Sequence, residues 1–233
     1  MQGIDLIHYA RALAFALVPM ILSLSVHECA HAWSAHLLGD ETAKDAGRLT
    51  LNPEAHIDPW GTLFIPALSV LMGGVPFLGW ARPTPFRADR FREGVNRRFG
   101  AALVSAAGPV SNLALALVSL SLLAFLGRLG VPLFSMVQDG DSMVAQRNAL
   151  DLFLLAMFQL NVGLAFFNLL PIPPLDGYRL LPPALDAIAR PLERYGFALL
   201  MAAFLFLPAG VMNAVFRPMY ALMNAVQSFF GVA

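Results

Sequence analysis

Long apolar runs alternate with short polar segments along this chain. Residues 12–26, 60–81, 99–127, 152–175, 195–216 and 218–233 contain no Asp, Glu, Lys or Arg. Several of these runs reach the roughly 17 to 25 residues that a helix needs to cross the hydrocarbon core of a bilayer. The pattern predicts an all-α integral membrane bundle of about five to six membrane helices. The first helix is predicted over about 8–38, ending at Gly39-Asp40 as a C-cap. The polar stretch TAKDAGRLTLNPEAHIDPWGT follows, and its alternating piece GRLTL suggests a strand within a loop. The next run, LFIPALSVLMGGVPFLGW, is apolar but interrupted by Pro66, Gly73, Gly74 and Pro76. It predicts a small membrane-associated β-hairpin or re-entrant element rather than a continuous helix.

Two further helices are predicted over roughly 99–127 and 148–170, antiparallel and joined by a short polar connection containing Asp139, Gly140 and Asp141. Residues 178–194 mix Arg179, Asp186, Arg190, Glu193 and Arg194 with Leu, Ala and Ile, the composition of an amphipathic interfacial helix. The tail, 195–233, is read as apolar C-terminal helices interrupted at Pro208 and Gly210. The chain is expected to be a single membrane domain, 1–233, with its core over about 8–177. The apolar stretch after Arg11 lacks a small-x-small cleavage site followed by a polar start, so it is expected to stay as a helix rather than leave as a signal peptide.

Composition agrees with a membrane setting: of 233 residues 58% are hydrophobic and 13% charged, with mean hydropathy +0.66. Fifteen basic and fifteen acidic residues cancel, so no global field favours a nucleic-acid partner. The expected surroundings are the lipid bilayer, and the oligomeric state is not encoded in any recognisable pattern. A lone cysteine, Cys29, excludes an internal disulfide and a cysteine-based zinc cluster. Charge is unevenly placed: 80–98 holds Arg82, Arg87, Arg90, Arg92, Arg97 and Arg98 against Asp89 and Glu93. By the positive-inside rule this segment should face the cytoplasm.

Within the first apolar helix, SVHECAHAW places two histidines and a glutamate at membrane depth. Residues i and i+4 share a helix face, so His27 and His31 offer two imidazoles to one point. This is the spacing of a zinc-binding H-E-x-x-H box, with Glu28 as candidate general base. An ionisable group at that depth costs several kcal/mol without a partner, which favours a functional reading of Glu28 over a structural one. Ser23, Ser34 and Ala35 lie on roughly the same face and would let neighbouring helices approach closely.

A catalytic zinc site takes three protein ligands, so the box lacks one. Asp176 follows the uncharged run 152–175 directly, and Pro171, Pro173 and Pro174 break the helix before it. Irregular backbone at membrane depth is tolerated where it lines a buried or wet cavity. Asp176 is therefore the candidate third ligand; the alternative is a cap for the following helix. His36 lies about 140° round the helix from the pair and His56 falls in a loop, so neither is expected to ligate.

These residues resemble the site-2 proteases, intramembrane zinc metalloproteases of peptidase family M50. The segment 27–31, HECAH, resembles the family's H-E-x-x-H motif. The segment 168–177, NLLPIPPLDG, resembles its N-x-x-P-x-P-x-L-D-G motif, whose aspartate is the third zinc ligand. Gly108 to Asn112, GPVSN, resembles its G-x-x-x-N element, and GRLTLNPEAHIDPWGT and GWARPTPF resemble segments of the short bacterial branch, without PDZ or CBS domains. The resemblance spans roughly 15–185. It implies one Zn²⁺ per chain held by His27, His31 and Asp176, and a membrane-spanning protein as substrate. The implied reaction is hydrolysis of peptide bonds in or near transmembrane segments, in regulated intramembrane proteolysis.

On this reading Glu28 takes a proton from water and passes it to the leaving amine. Asn112 is the candidate for substrate positioning or oxyanion stabilisation, with interhelical hydrogen bonding as its alternative, and Asn161 and Asn168 could serve likewise. His31 and Asp176 both lie toward C-terminal helix ends and must meet, so their helices should run in the same direction. The loops 39–59, 80–98 and 178–194 then share one face of a multi-pass cell-membrane protein, the cytoplasmic one, and the run between 59 and 80 must enter and return. The rival functions are a membrane metal transporter, which would need metal sites at several depths, and an inactive metal-binding relative, which would be expected to lose Glu28.

Overall fold

A computed structural model describes residues 6–72, 79–132, 134–139, 142–206 and 208–230. Its first element, α1 (Leu6–Leu37), closes as the sequence suggests. Gly39 adopts φ +103°, and the Asp40 N–H reaches back to the Ala35 carbonyl at 3.0 Å, a 6→1 bond that ends the helix. Asp40, fully buried, then accepts from the Thr42 N–H at 3.0 Å and from the Arg87 N–H at 2.5 Å. One carboxylate thus ties the end of α1 both to α2 (Thr42–Asp45) and to a segment more than forty residues on.

The strand expected at GRLTL is absent. Residues 46–58 run as turns and a short 3-10 segment, Pro53–Ala55. Arg48 is buried, and its guanidinium donates to the carbonyls of Ala55 and Arg82, which pulls this stretch into a turn with no neighbouring strand to pair with. The apolar run that follows forms a π-helical turn, Pro59–Phe64, and α3 (Ile65–Leu71). Together these are too short to cross a bilayer. Beyond residues 73–78, which lie outside the described residues, the chain returns to its starting point: the Trp80 N–H bonds the Gly61 carbonyl at 3.3 Å and Thr62 Oγ1 bonds the Trp80 carbonyl at 2.7 Å. Residues 79–96 are extended or turned apart from a short 3-10 segment, Ala88–Arg90, and form no hairpin.

The helix α4 (Arg97–Arg128) starts at Asn96, whose side chain accepts from the Phe99 N–H at 3.1 Å. Between it and α5 (Ala149–Asn168) the polar connection is an antiparallel hairpin, β1 (Phe134–Asp139) with β2 (Ser142–Arg147), in register from Phe134 opposite Arg147 to Asp139 opposite Ser142. A hairpin thus sits between two membrane helices where only a polar connection was expected, while the described residues of the broken run form none, so the hairpin expected there is not seen. Physically, FSMVQD and SMVAQR are two equal β-compatible runs about a Gly-Asp pair, a hairpin pattern that the surrounding apolar helices obscure.

Among the described residues three helices, α1, α4 and α5, are long and apolar enough to span a membrane, against the five to six expected. After α5, prolines confine helix to α6 (Asp186–Glu193), shorter than the 178–194 expected, with Pro182 and Pro183 at its entrance. Arg98 pins it, with two donor bonds to Asp186 at 2.9 and 3.0 Å. The tail divides into α7 (Gly196–Phe206), 11 residues and too short to span, and α8 (Ala209–Phe230), in which Asn213, Arg217, Asn224 and Gln227 dilute the apolar character.

Contacts fix the direction of each long helix. His31 meets Val104 and His27 meets Asn112, so α4 runs against α1. Ser23 meets Asn161 while His31 meets Asp176, so α1 and α5 run in parallel, as the ligand argument required. The loops carrying Asp40, Arg87, Arg92 and Asp186 consequently gather at one end. Polarity is arranged as in a membrane bundle: on α4, Asn112 is 0% exposed while Val118 is 63% exposed. Ala116, Leu120, Phe158, Val162, Phe216, Met219 and Met223 form an apolar cluster, which seats α8 against α4 and α5.

Candidate metal centre

The face of α1 turned toward α4 carries His27 and His31, one turn apart and both buried. Their Nε2 atoms lie 3.0 Å from each other, and Asp176 Oδ2 lies 3.2 Å from His27 Nε2 and 3.3 Å from His31 Nε2. A tetrahedral zinc ion with N and O ligands at its usual bond lengths has ligand-to-ligand edges of about 3.3 Å, so the triangle is close to the right size. The charge pattern also suits a cation. His31 Nδ1 lies 2.7 Å from the Val104 carbonyl, which can only accept, so Nδ1 carries a proton and, in the neutral ring that binds a metal, Nε2 presents a lone pair. That lone pair faces a second imidazole nitrogen and a carboxylate oxygen, and Asp176 Oδ2 is a buried acceptor with no hydrogen-bond donor. The residues present fit a zinc ion.

Two glycines make room for this. A Cβ on Gly108 would lie 2.5 Å from both His27 Cε1 and His31 Nε2, so only glycine lets α4 pass the histidine pair at this distance. A Cβ on Gly177 would run into the carbonyls of Leu169 and Leu170, so the turn carrying Asp176 folds back tightly on the end of α5. The Leu175 N–H bonds the Ile172 carbonyl at 2.9 Å within that proline-rich turn.

Glu28 is buried beside the pair and is gripped by a residue far away in sequence. The Thr84 N–H donates to Glu28 Oε2 at 2.7 Å, and Thr84 Oγ1 donates to the Glu28 carbonyl at 3.1 Å. Thr84 belongs to an extended segment whose even residues bind inward, the Arg82 N–H to the His56 carbonyl at 2.8 Å and the Trp80 N–H to the Gly61 carbonyl. Nothing in GWARPTPF as a sequence marks Thr84 as a partner of Glu28; two flanking prolines are the local signal of a fixed extended path.

Asn112 lies on α4 with its Oδ1 2.6 Å from His27 Nδ1 and its Nδ2 2.7 Å from Asn161 Oδ1. Both ends of the amide are engaged, and an oxyanion role would require it to leave these partners. Asn161 is likewise buried, whereas Asn168 Nδ2 donates to the Leu164 carbonyl of its own helix at 3.0 Å. His36 and His56 stand outside the cluster. His36 Nδ1 lies 2.9 Å from Glu41 Oε1, and His56 Nε2 lies 2.9 Å from the Thr50 carbonyl. The hydrogen bond from Lys44 holds the Glu41 carboxyl below its ordinary range. Among the described residues, His27, His31 and Asp176 are the group of His, Cys, Asp and Glu side chains whose ligand atoms converge.

Comparison with known proteins agrees with this chemistry. A family model described as Peptidase family M50 matches residues 15–209. The chain is 41% identical over 194 residues to the "Putative zinc metalloprotease YwhC" of Bacillus subtilis, an alignment covering 82% of this chain and 80% of that protein. It is 32% identical over 209 residues to the "Putative zinc metalloprotease Rip2" of Mycolicibacterium smegmatis, covering 86% and 70% respectively. The protein of the same description in Mycobacterium tuberculosis strain H37Rv is 32% identical over 201 residues, covering 84% and 69%. No solved structure matches the chain.

Proposed function

The chain belongs to peptidase family M50, and from that premise we propose that its His27, His31 and Asp176 hold one zinc ion at which peptide bonds of membrane-spanning substrates are hydrolysed. The family makes it a zinc metalloprotease of the membrane; the assignment of residues is our reading. What carries it is the triangle of three donor atoms 3.0–3.3 Å apart, with the glutamate of the same helix turn held beside it.

Zinc bound there supplies Lewis acidity, polarising the scissile carbonyl and acidifying water. Glu28 is the general base. Thr84 occupies its Oε2, which leaves Oε1 to accept a proton from water and deliver it to the leaving amine. Asn112 holds His27 and contributes to ligand orientation from the far side of the ring. The bundle of α1, α4 and α5 buries these groups, so each polar contact acts in a low dielectric.

The substrate enters as an extended strand along residues 79–85. Inward bonds use Trp80, Arg82 and Thr84, whereas Ala81, Pro83 and Pro85 make no hydrogen bond among the described residues and keep their carbonyls for a partner. The arginine-rich 80–98 segment lies at the same end of the bundle as the metal and orients that end to the cytoplasm. Regulated intramembrane proteolysis in a multi-pass cell-membrane setting is the biological role that fits. A metal transporter would need further ligand clusters along a path, and the described residues bring together one.

The test is metal analysis of purified protein with a cleavage assay on a membrane-spanning substrate, comparing wild type with Glu28→Gln. The variant should keep zinc and lose roughly 10²–10⁴-fold in rate. Equal cleavage by a zinc-loaded Glu28→Gln protein would remove Glu28 from the mechanism, and wild-type protein free of metal would remove the site.

A further inference from the structure

The two histidines are oriented by different kinds of acceptor. His31 Nδ1 faces a backbone carbonyl, that of Val104, which cannot turn round. His27 Nδ1 faces a side-chain amide, that of Asn112, at 2.6 Å. An amide can rotate by 180° and present NH₂ where its oxygen stood. If it did, the His27 ring would have to accept at Nδ1, and the proton would move to Nε2, the atom aimed at the metal. Something must hold Asn112 the right way round.

We propose that Asn161, on α5, is a positioning residue that fixes the tautomer of His27 through Asn112. The chain of forced choices starts at the Met157 carbonyl, a pure acceptor. Only the Asn161 NH₂ can face it, and Asn161 Nδ2 lies 2.8 Å from it and 2.8 Å from Ser23 Oγ. Asn161 Oδ1 must then face the other way, toward Asn112 Nδ2 at 2.7 Å. Asn112 is left with its oxygen toward His27, so Nδ1 carries the proton and Nε2 offers a lone pair. All of Ser23, Asn112 and Asn161 are buried, so no water competes for these bonds. The polarity of one backbone carbonyl on α5 is thereby transmitted across α4 to a ring on α1. Outer-shell partners of this kind change metal affinity by about 10- to 100-fold when removed.

This inference rests on His27 being a zinc ligand, and its test separates the two. Zinc affinity is measured by chelator competition on detergent-purified protein, with the absorption of the cobalt-substituted form as a second reading of ligand geometry. Asn161→Leu should weaken zinc about 10- to 100-fold and alter the cobalt spectrum. Asn161→Ala, which asks for less space, serves if the leucine variant does not fold. The discriminating variant adds Asn112→Asp to either: a carboxylate accepts from His27 Nδ1 whichever oxygen faces it, needs no neighbour to orient it, and should restore affinity toward the wild-type value. Wild-type affinity in the foldable Asn161 variant, or no recovery on adding Asn112→Asp, overturns the proposal. His27→Ala that keeps stoichiometric zinc overturns the metal-site reading itself.

Discussion

The Thr84 N–H lies 2.7 Å from Glu28 Oε2, joining the glutamate of the metal helix to an extended segment 56 residues further along the chain. A charge-assisted bond of this type is worth about 1.5–3 kcal/mol. Thr84→Pro deletes the donor and should lower the cleavage rate roughly 10- to 100-fold. Zinc content, measured by mass spectrometry, should stay near one per chain. Thr84→Val keeps the N–H, loses only the bond to the Glu28 carbonyl, and should cost less than the proline variant. A Thr84→Pro enzyme as fast as wild type would show that Glu28 needs no such support.

Gly108 offers a steric probe of the centre that replaces none of its polar side chains. The added methyl of Gly108→Ala would stand 2.5 Å from His27 Cε1 and His31 Nε2, so it must displace the imidazoles or the helix. We expect zinc affinity to fall in chelator competition. Gly163→Ala is the matched control: it lies inside α5 with nothing within 4 Å of the new methyl. It should leave zinc unchanged and raise stability by about 0.5–1 kcal/mol, seen as a higher melting temperature. Equal zinc affinity in both variants would mean that the close passage of α4 does not shape the site.

Metal removal should loosen the fold as well as stop cleavage. Three acceptor atoms within 3.0–3.3 Å of one another repel without a cation, so chelation should lower the melting temperature. Restoring zinc should reverse the shift. Asp176→Asn, which exchanges the carboxylate for a neutral amide, should abolish most of that zinc-dependent shift. A chelated wild type that melts where the zinc-loaded form does would argue against occupancy of this triangle.

Gly79 and Ala81 are the non-proline residues among the alternate positions 79, 81, 83 and 85, and Ala81, the nearer to Thr84, has an N–H that makes no bond among the described residues. Ala81→Pro should raise KM for a membrane-spanning substrate while zinc content holds. Parallel loss of zinc would instead show a general disturbance of the segment that carries Thr84, and the strand-pairing idea would fail.

The meeting of His27, His31 and Asp176 was legible because it depends on local geometry. His27 and His31 share a face wherever a helix forms, by the 3.6-residue period alone, and a proline-rich break before Asp176 announces a turn at the end of an apolar helix. The three long apolar helices follow equally from length and hydropathy. Length and apolarity mislead in the tail, where α8 is long yet too polar, and in 178–194, where Pro182 and Pro183 shorten the helix.

By itself, then, the sequence determined the membrane setting, three of the long helices, the two-histidine box with its glutamate, and the aspartate that the structure brings beside it. Only the tertiary structure decided that Thr84 grips Glu28, that Asn161 stands behind Asn112, that Gly108 is the point where α4 clears the histidines, and that the hairpin lies between α4 and α5. The reason is physical: periodicity and chain breaks are properties of neighbouring residues, whereas a hydrogen bond between residues 49 to 138 positions apart exists only after three helices have chosen their packing. The polar side chains that specify that packing have no apolar periodicity to announce them, and their partners are set by burial.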